Sequence, residues 1–186
     1  MTREPELAAI VTASRWFTGM LTAVRAADLP DAWVGAGVLR DLVWGGTGFD
    51  PAAVRDVDVA FFDPDDLDRD RSATAALHAH RPDIPWEATN QAAVHTWYAE
   101  FYAGPEVAPL QSTADGVATW PETATSVAVR LGADDRLEIC APHGLDDLLD
   151  GVWRRNPRRI TVEQSRLRLA RHDPKRRWPA VRVIEP

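Results

Sequence analysis

The chain has 186 residues, 45% of them hydrophobic, with eight tryptophans and a formal net charge of −7 at pH 7. That is enough apolar material for one folded domain, and it excludes a disordered chain. The lone Cys140 excludes a disulfide framework or a cysteine-rich zinc site, and no apolar run reaches bilayer length. Acidic residues and an amphipathic pattern near Met1 differ from a secretory signal, so no membrane partner and a reducing cytoplasm are expected.

Apolar residues at Leu7, Ile10, Val11, Phe17, Leu21 and Val24 predict one long amphipathic helix over 6–27, ended by Leu29-Pro30. Trp33-Val34 reads as a short strand, followed by a glycine turn and a helix to about Trp44. Gly45-Gly46-Thr47-Gly48 and Pro51 predict a loop. Val57 to Phe62 is the next strand, with Val57, Val59 and Phe61 on one face and Asp58 on the other. The acidic run Asp63 to Asp70 lacks the glycine and terminal glutamate of a calcium loop and reads as a polar loop with an aspartate capping the following helix. Residues 91–102 suggest a helical or mixed stretch, and Asn90, Gln91 and Trp97 are candidates to line a base or acceptor pocket. Residues 126–142 form the clearest hairpin, turning at Gly132-Ala133-Asp134-Asp135. A helix over 144–153, a second one capped by Thr161 and, at 180–184, either an edge strand or a packed tail complete the prediction. Interleaved strands and helices without a strict βαβ period predict an α+β fold, a small mixed sheet packed with helices. The whole reads as a single domain: an N-terminal helix (1–30), a core (33–150) and a basic C-terminal segment (151–186).

Charge is divided unevenly along the chain. Residues 1–150 hold 10 arginines and 25 acids, a balance of −15; residues 151–186 hold 11 basic residues and three acids, a balance of +8. The basic segment either packs on the acidic body or supplies cations to a phosphorylated ligand. Arg154, Arg155, Arg158 and Arg159 are the candidates for such contacts.

Two aspartates, Asp56 and Asp58, stand one residue apart at the start of a strand. Side chains at i and i+2 on a strand point the same way, so two like charges are held a few ångströms apart. That arrangement favours a hard cation between them, and magnesium takes oxygen ligands of this kind. The turn Gly35-Ala36-Gly37 feeds a helix whose first amides and dipole suit a phosphate group. A phosphate cradle beside a two-carboxylate metal site suits transfer from a nucleoside triphosphate.

Residues 36–59, "AGVLRDLVWG…DVDV", resemble the head of the DNA polymerase beta-type nucleotidyltransferase superfamily, closest in local form to CCA-adding and bacterial poly(A) polymerase heads. Segments such as "DVDVAFFDPDDL", "PWEATNQAAVH", "WPETATSVAVRL", "LEICAPHGLDDLL" and "KRRWPAVRVI" resemble small stand-alone bacterial nucleotidyltransferase-like proteins. The resemblance implies a polymerase-beta-like fold, magnesium or manganese as cofactor, and a nucleoside triphosphate such as ATP as substrate. It implies a third carboxylate on a neighbouring strand, for which Glu87 is the candidate; Asp56, Asp58 and Glu87 are then the catalytic and metal-binding set. Gly35, Ala36, Gly37 and Arg40 are the candidates for binding triphosphate, with Arg40 contacting phosphate or bracing Asp56, and Asp41 supporting Arg40. The implied reaction moves a nucleoside monophosphate to an acceptor hydroxyl and releases pyrophosphate. The acceptor is a small molecule, a protein or an RNA end.

Two departures from the pattern stand out: Ala36 replaces the first glycine of the pair, and the loop reaching Asp56 is longer. The rival reading is a catalytically weak or inactive fold that binds a nucleotide or a partner, in the manner of toxin–antitoxin-like pairs. A Rossmann site is disfavoured because Arg40 stands where the third glycine belongs, and a haloacid-dehalogenase site because Ala60 follows the aspartates where Thr or Val is wanted.

Overall fold

The computed structural model describes residues 3–102 and 106–186. Two helices, α1 (Glu4–Ala13) and α2 (Arg15–Ala26), stand where one long helix was expected. Their axes diverge by 97°. Ser14 lies between them with extended backbone (φ −89°, ψ 104°), and its hydroxyl accepts the Phe17 amide at 3.2 Å. An N-cap thus restarts the helix inside an apolar period that itself never breaks. The bend carries Leu7, Val11, Phe17, Met20 and Leu21 into one core. No single helix among the described residues is long and apolar enough to cross a membrane.

The chain then runs through β1 (Trp33–Gly35), α3 (Gly37–Gly45), β2 (Val57–Phe61), α4 (Asp70–His80), β3 (Trp86–Asn90), α5 (Val94–Tyr102) and α6 (Thr113–Val117). β4 (Ala128–Leu131) and β5 (Leu137–Cys140) form the expected hairpin. Its turn closes through a 2.8 Å bond from the Gly132 amide to the Arg136 carbonyl, with Asp135 at φ +62°. The aspartate cap expected for α4 is absent: its N-cap is Arg69, whose side chain makes no capping bond. Asp63 pairs with Arg69 instead, and Asp70 accepts the Asn90 amide at 2.7 Å.

The strands make a mixed sheet in the order β3-β2-β1-β4-β5, in which only the β2–β3 pair is parallel. This is the α+β architecture the pattern predicted. Val57, Val59 and Phe61 of β2, with Trp86 and Ala88 of β3, face the core built from α1 to α4. Strand alternation sends Asp58, Glu87 and Thr89 to the other face, where a cleft opens.

The C-terminal elements differ from the prediction. The helix expected over 144–153 is confined to α7 (Asp146–Leu149), because Gly151 at φ +64° turns the chain into β6 (Val152–Trp153). α8 (Val162–His172) opens on a full capping box between Thr161 and Gln164. Asp173, in the left-handed region, passes the chain to α9 (Pro174–Arg177). β7 (Arg182–Val183) pairs in parallel with β6 as a separate ribbon and does not join the main sheet as an edge.

Candidate active site

Tight packing fixes the turn that opens the site. A Cβ at Gly35 would meet the Val127 carbonyl oxygen at 2.4 Å and the Trp120 ring at 2.8 Å, so only glycine fits between β1 and those neighbours. Ala36 follows at φ +57°, ψ −127°, a conformation comfortable for glycine and strained for any residue carrying a Cβ. The amides of this turn are already directed: Ala36 N–H donates to the Val127 carbonyl at 3.3 Å, and Gly37 N–H donates to the Asp58 carboxylate. Val38 and Leu39 carry the remaining first-turn amides of α3, which find no carbonyl within the helix. The turn therefore orients a carboxylate as well as presenting a helix N-terminus.

Register does the rest. In the parallel pairing of β2 with β3, Asp58 lies opposite Glu87. Asp56 precedes β2 by one residue, on the same side as Asp58. Carboxylate oxygens from Asp56, Asp58 and Glu87 all lie within 4.8 Å of one another. Asp56 and Glu87 are exposed, whereas Asp58 is half-buried at the foot of the cleft. Burial first, then the charges of Asp56 and Glu87, push the Asp58 carboxyl up to about 7, against the Gly37 amide and the Arg168 charge. Three converging carboxylates are unfavourable alone and well suited to a hard divalent cation.

The cleft has a volume of about 1030 Å³ and its far wall is cationic. α8 turns one stripe toward it: Gln164, Leu167, Arg168, Arg171 and His172, spaced as neighbours on a single helical face. Arg159 and Arg177 add to the wall, and Arg159 also lies 4.7 Å from the Tyr98 ring centroid. His172 packs against Trp153, and burial with the charges of Arg168, Arg40 and Arg171 pushes its imidazole down to about 4. It is therefore neutral at pH 7. The basic segment thus packs on the body and also sets part of its charge opposite the carboxylates.

Residues 22–183 match a family model described as a nucleotidyltransferase. The chain belongs to a nucleotidyltransferase family. Among solved structures, this nucleotidyltransferase is similar to one whose NMR structure reveals a CCA-adding enzyme head domain, with 27% identity, a TM-score of 0.81, and coverage of 98% of this chain and 96% of that one. It shares its fold with a CCA-adding enzyme solved in complex with ATP, at 15% identity and a TM-score of 0.56. All of this chain is covered there, but only 43% of the other. No curated protein sequence matches.

Several candidates occupy places the sequence alone did not fix. Arg40 of the nucleotidyltransferase lines the cleft but does not reach for Asp56. It is buried, bonds Asp41 at 2.6 Å, and sits 5.0 to 5.9 Å from the ring centroids of Trp178, Trp153 and Trp44. Asp41 also binds Arg177 at 2.8 Å, so one carboxylate ties α3 to α9. Gln91 and Trp97 line the cleft, whereas Asn90 is buried and bonds the Asp63 and Asp66 carbonyls. Of the four arginines put forward, Arg159 faces the cleft, Arg154 pairs with Asp147 and Arg155 bonds the Ile160 carbonyl. Glu122, which no sequence pattern singled out, is fully buried and grips Arg168 through two bonds of 2.8 and 3.0 Å.

Proposed function

We propose that the chain transfers a nucleoside monophosphate from a nucleoside triphosphate to an acceptor hydroxyl, using magnesium or manganese. The observation that carries this reading is the convergence of Asp56, Asp58 and Glu87 on adjacent strands, opposite an arginine wall. Three oxygen donors within 4.8 Å, one of them with its pKa raised by burial and then by the charges of the other two, match the donor chemistry of a hard divalent ion. When bound, such an ion supplies charge neutralisation of the phosphates and acidifies the attacking hydroxyl.

The remaining work falls to the chain itself. The Gly37 N–H faces the Asp58 carboxylate, Asp58 is held opposite Glu87 by the β2–β3 register, and Asp56 directly precedes β2. Glu87 is exposed on the outermost strand β3, where an incoming hydroxyl meets it and surrenders its proton. The hydroxyl oxygen forms its bond to the α-phosphorus as the bond to the bridging oxygen breaks, and pyrophosphate carries away the electron pair. The cleft arginines face the charge that grows on that leaving group. The convergent carboxylates favour this reading over an inactive nucleotide- or partner-binding fold. ATP is the first triphosphate to try, since the fold is shared with an enzyme solved with ATP.

The test is pyrophosphate release from ATP, GTP, CTP and UTP, with magnesium, offered with small alcohols, RNA ends and protein extracts as acceptors. Release that Asp58→Asn and Glu87→Gln each reduce by a factor of about 10² or more supports the reading. Release unchanged in both variants removes it.

A further inference from the structure

We infer that Glu122 is a positioning residue whose task is to hold the Arg168 guanidinium on the cleft wall as the seat for the polyphosphate tail of the substrate. The inference deepens the nucleotidyl-transfer reading and rests on it. Glu122 lies just before β4 in the segment after α6, and its side chain is 1% exposed. A carboxylate taken that far from water is costly unless it is paired with good geometry. Arg168 supplies the pair: Nε donates to one carboxylate oxygen at 2.8 Å and Nη2 to the other at 3.0 Å. The Thr125 hydroxyl adds a 3.3 Å contact to the second oxygen.

The pair spans 46 residues and joins the helix of one segment to the sheet side of another. Glu122 is itself anchored by backbone: it bridges to Arg155, and its carbonyl accepts from the Thr125 and Ser126 amides at 3.0 and 2.9 Å. The guanidinium is therefore aimed by a rigid base, not by its own flexible stem. The Arg168 side chain is 27% exposed and lines the cleft, and its charge acts on Asp58. A forked cation set opposite a carboxylate cluster is the arrangement that holds phosphate oxygens in register with a metal-bound phosphate. Long arginines without such an anchor sample many rotamers and lose that register.

Inorganic tripolyphosphate, titrated by calorimetry without metal and with chelator, reads the seat alone. The variants are Arg168→Gln, Arg168→Lys, Glu122→Gln and, as control on the outer face of the same helix, Arg166→Gln, with folding of each followed by circular dichroism. Expected are measurable wild-type binding, weakening of about tenfold or more for Arg168→Gln and Arg168→Lys, and little change for Arg166→Gln. Glu122→Gln decides the role of the anchor. It removes a negative charge from beside the cleft, so simple electrostatics makes the anion bind tighter; loss of positioning makes it bind weaker, by about tenfold. Equal or tighter binding by a folded Glu122→Gln overturns the inference. So does full binding by Arg168→Lys, which remains available if the glutamine variant does not fold, and so does no wild-type binding. Because no metal or transfer is involved, each of these failures is separate from failure of pyrophosphate release in the preceding assay.

Discussion

Asp58→Asn is expected to make the protein more stable while it removes activity. In the metal-free protein the Asp58 carboxyl rises from 3.8 to about 7, through burial and the neighbouring charges of Asp56 and Glu87. A shift of about three units at about 1.4 kcal/mol each corresponds to at most about 4 kcal/mol held against the folded state. The sign follows from proton binding: between pH 4 and 7 the folded chain holds a proton on Asp58 that the unfolded chain has released. Stability contributed by this group therefore falls as pH rises through that window and is level above it. Asparagine keeps the shape and can still accept the Gly37 amide, yet carries no charge at any pH. Thermal melts in chelator at pH 3 and pH 8 test this. The variant and wild type melt together at low pH, and at pH 8 the variant melts higher, each kcal/mol being worth roughly 2–4 °C in a chain of this size. Magnesium at pH 8 raises the wild-type melting point and leaves the variant unmoved. Equal melting at pH 8 without metal refutes the claim that the three carboxylates are held together at a cost in stability.

Ala36→Gly relaxes the turn at φ +57° and stabilises the fold by about 1 kcal/mol, read as a rise of a few degrees in melting temperature. Gly35→Ala does the reverse: its methyl meets the Val127 carbonyl at 2.4 Å, so it destabilises by about 1–3 kcal/mol in urea unfolding and misplaces the Asp58 amide donor as β1 shifts. Thr161→Ala opens the capping box of α8, costing about 1 kcal/mol, and lowers helical content at the C-terminal end in hydrogen exchange. Glu122→Ala leaves Arg168 without its buried carboxylate and destabilises by about 3–5 kcal/mol, far beyond any surface substitution.

The strands, the hairpin and the same-side placement of Asp56 and Asp58 are legible from alternation alone, since a strand period of two leaves little freedom. Glu87 is different. Nothing local marks it, and it joins the other two only because β2 and β3 pair in parallel with Asp58 opposite it; the resemblance pointed to it, the residue pattern did not. The break at Ser14 had a signal in the capping serine, hidden by an apolar period that runs straight through it. Glu122 was illegible because a charged residue is ordinarily a surface residue, and its partner lies 46 positions away. For the same reason, Arg40 could be matched to a motif but not to its tryptophan surroundings, two of which lie more than 100 residues downstream. The excess positive charge of residues 151–186 foretold a cationic surface; which face of α8 carries it depends on how that helix packs.

Calorimetric titration of the four nucleoside triphosphates, with and without magnesium, into wild type and Asp56→Ala/Asp58→Ala tests the carboxylate site most directly. Binding that requires magnesium and vanishes in the double variant is the predicted result. Triphosphate binding that ignores magnesium or survives the double substitution contradicts a metal site at Asp56, Asp58 and Glu87.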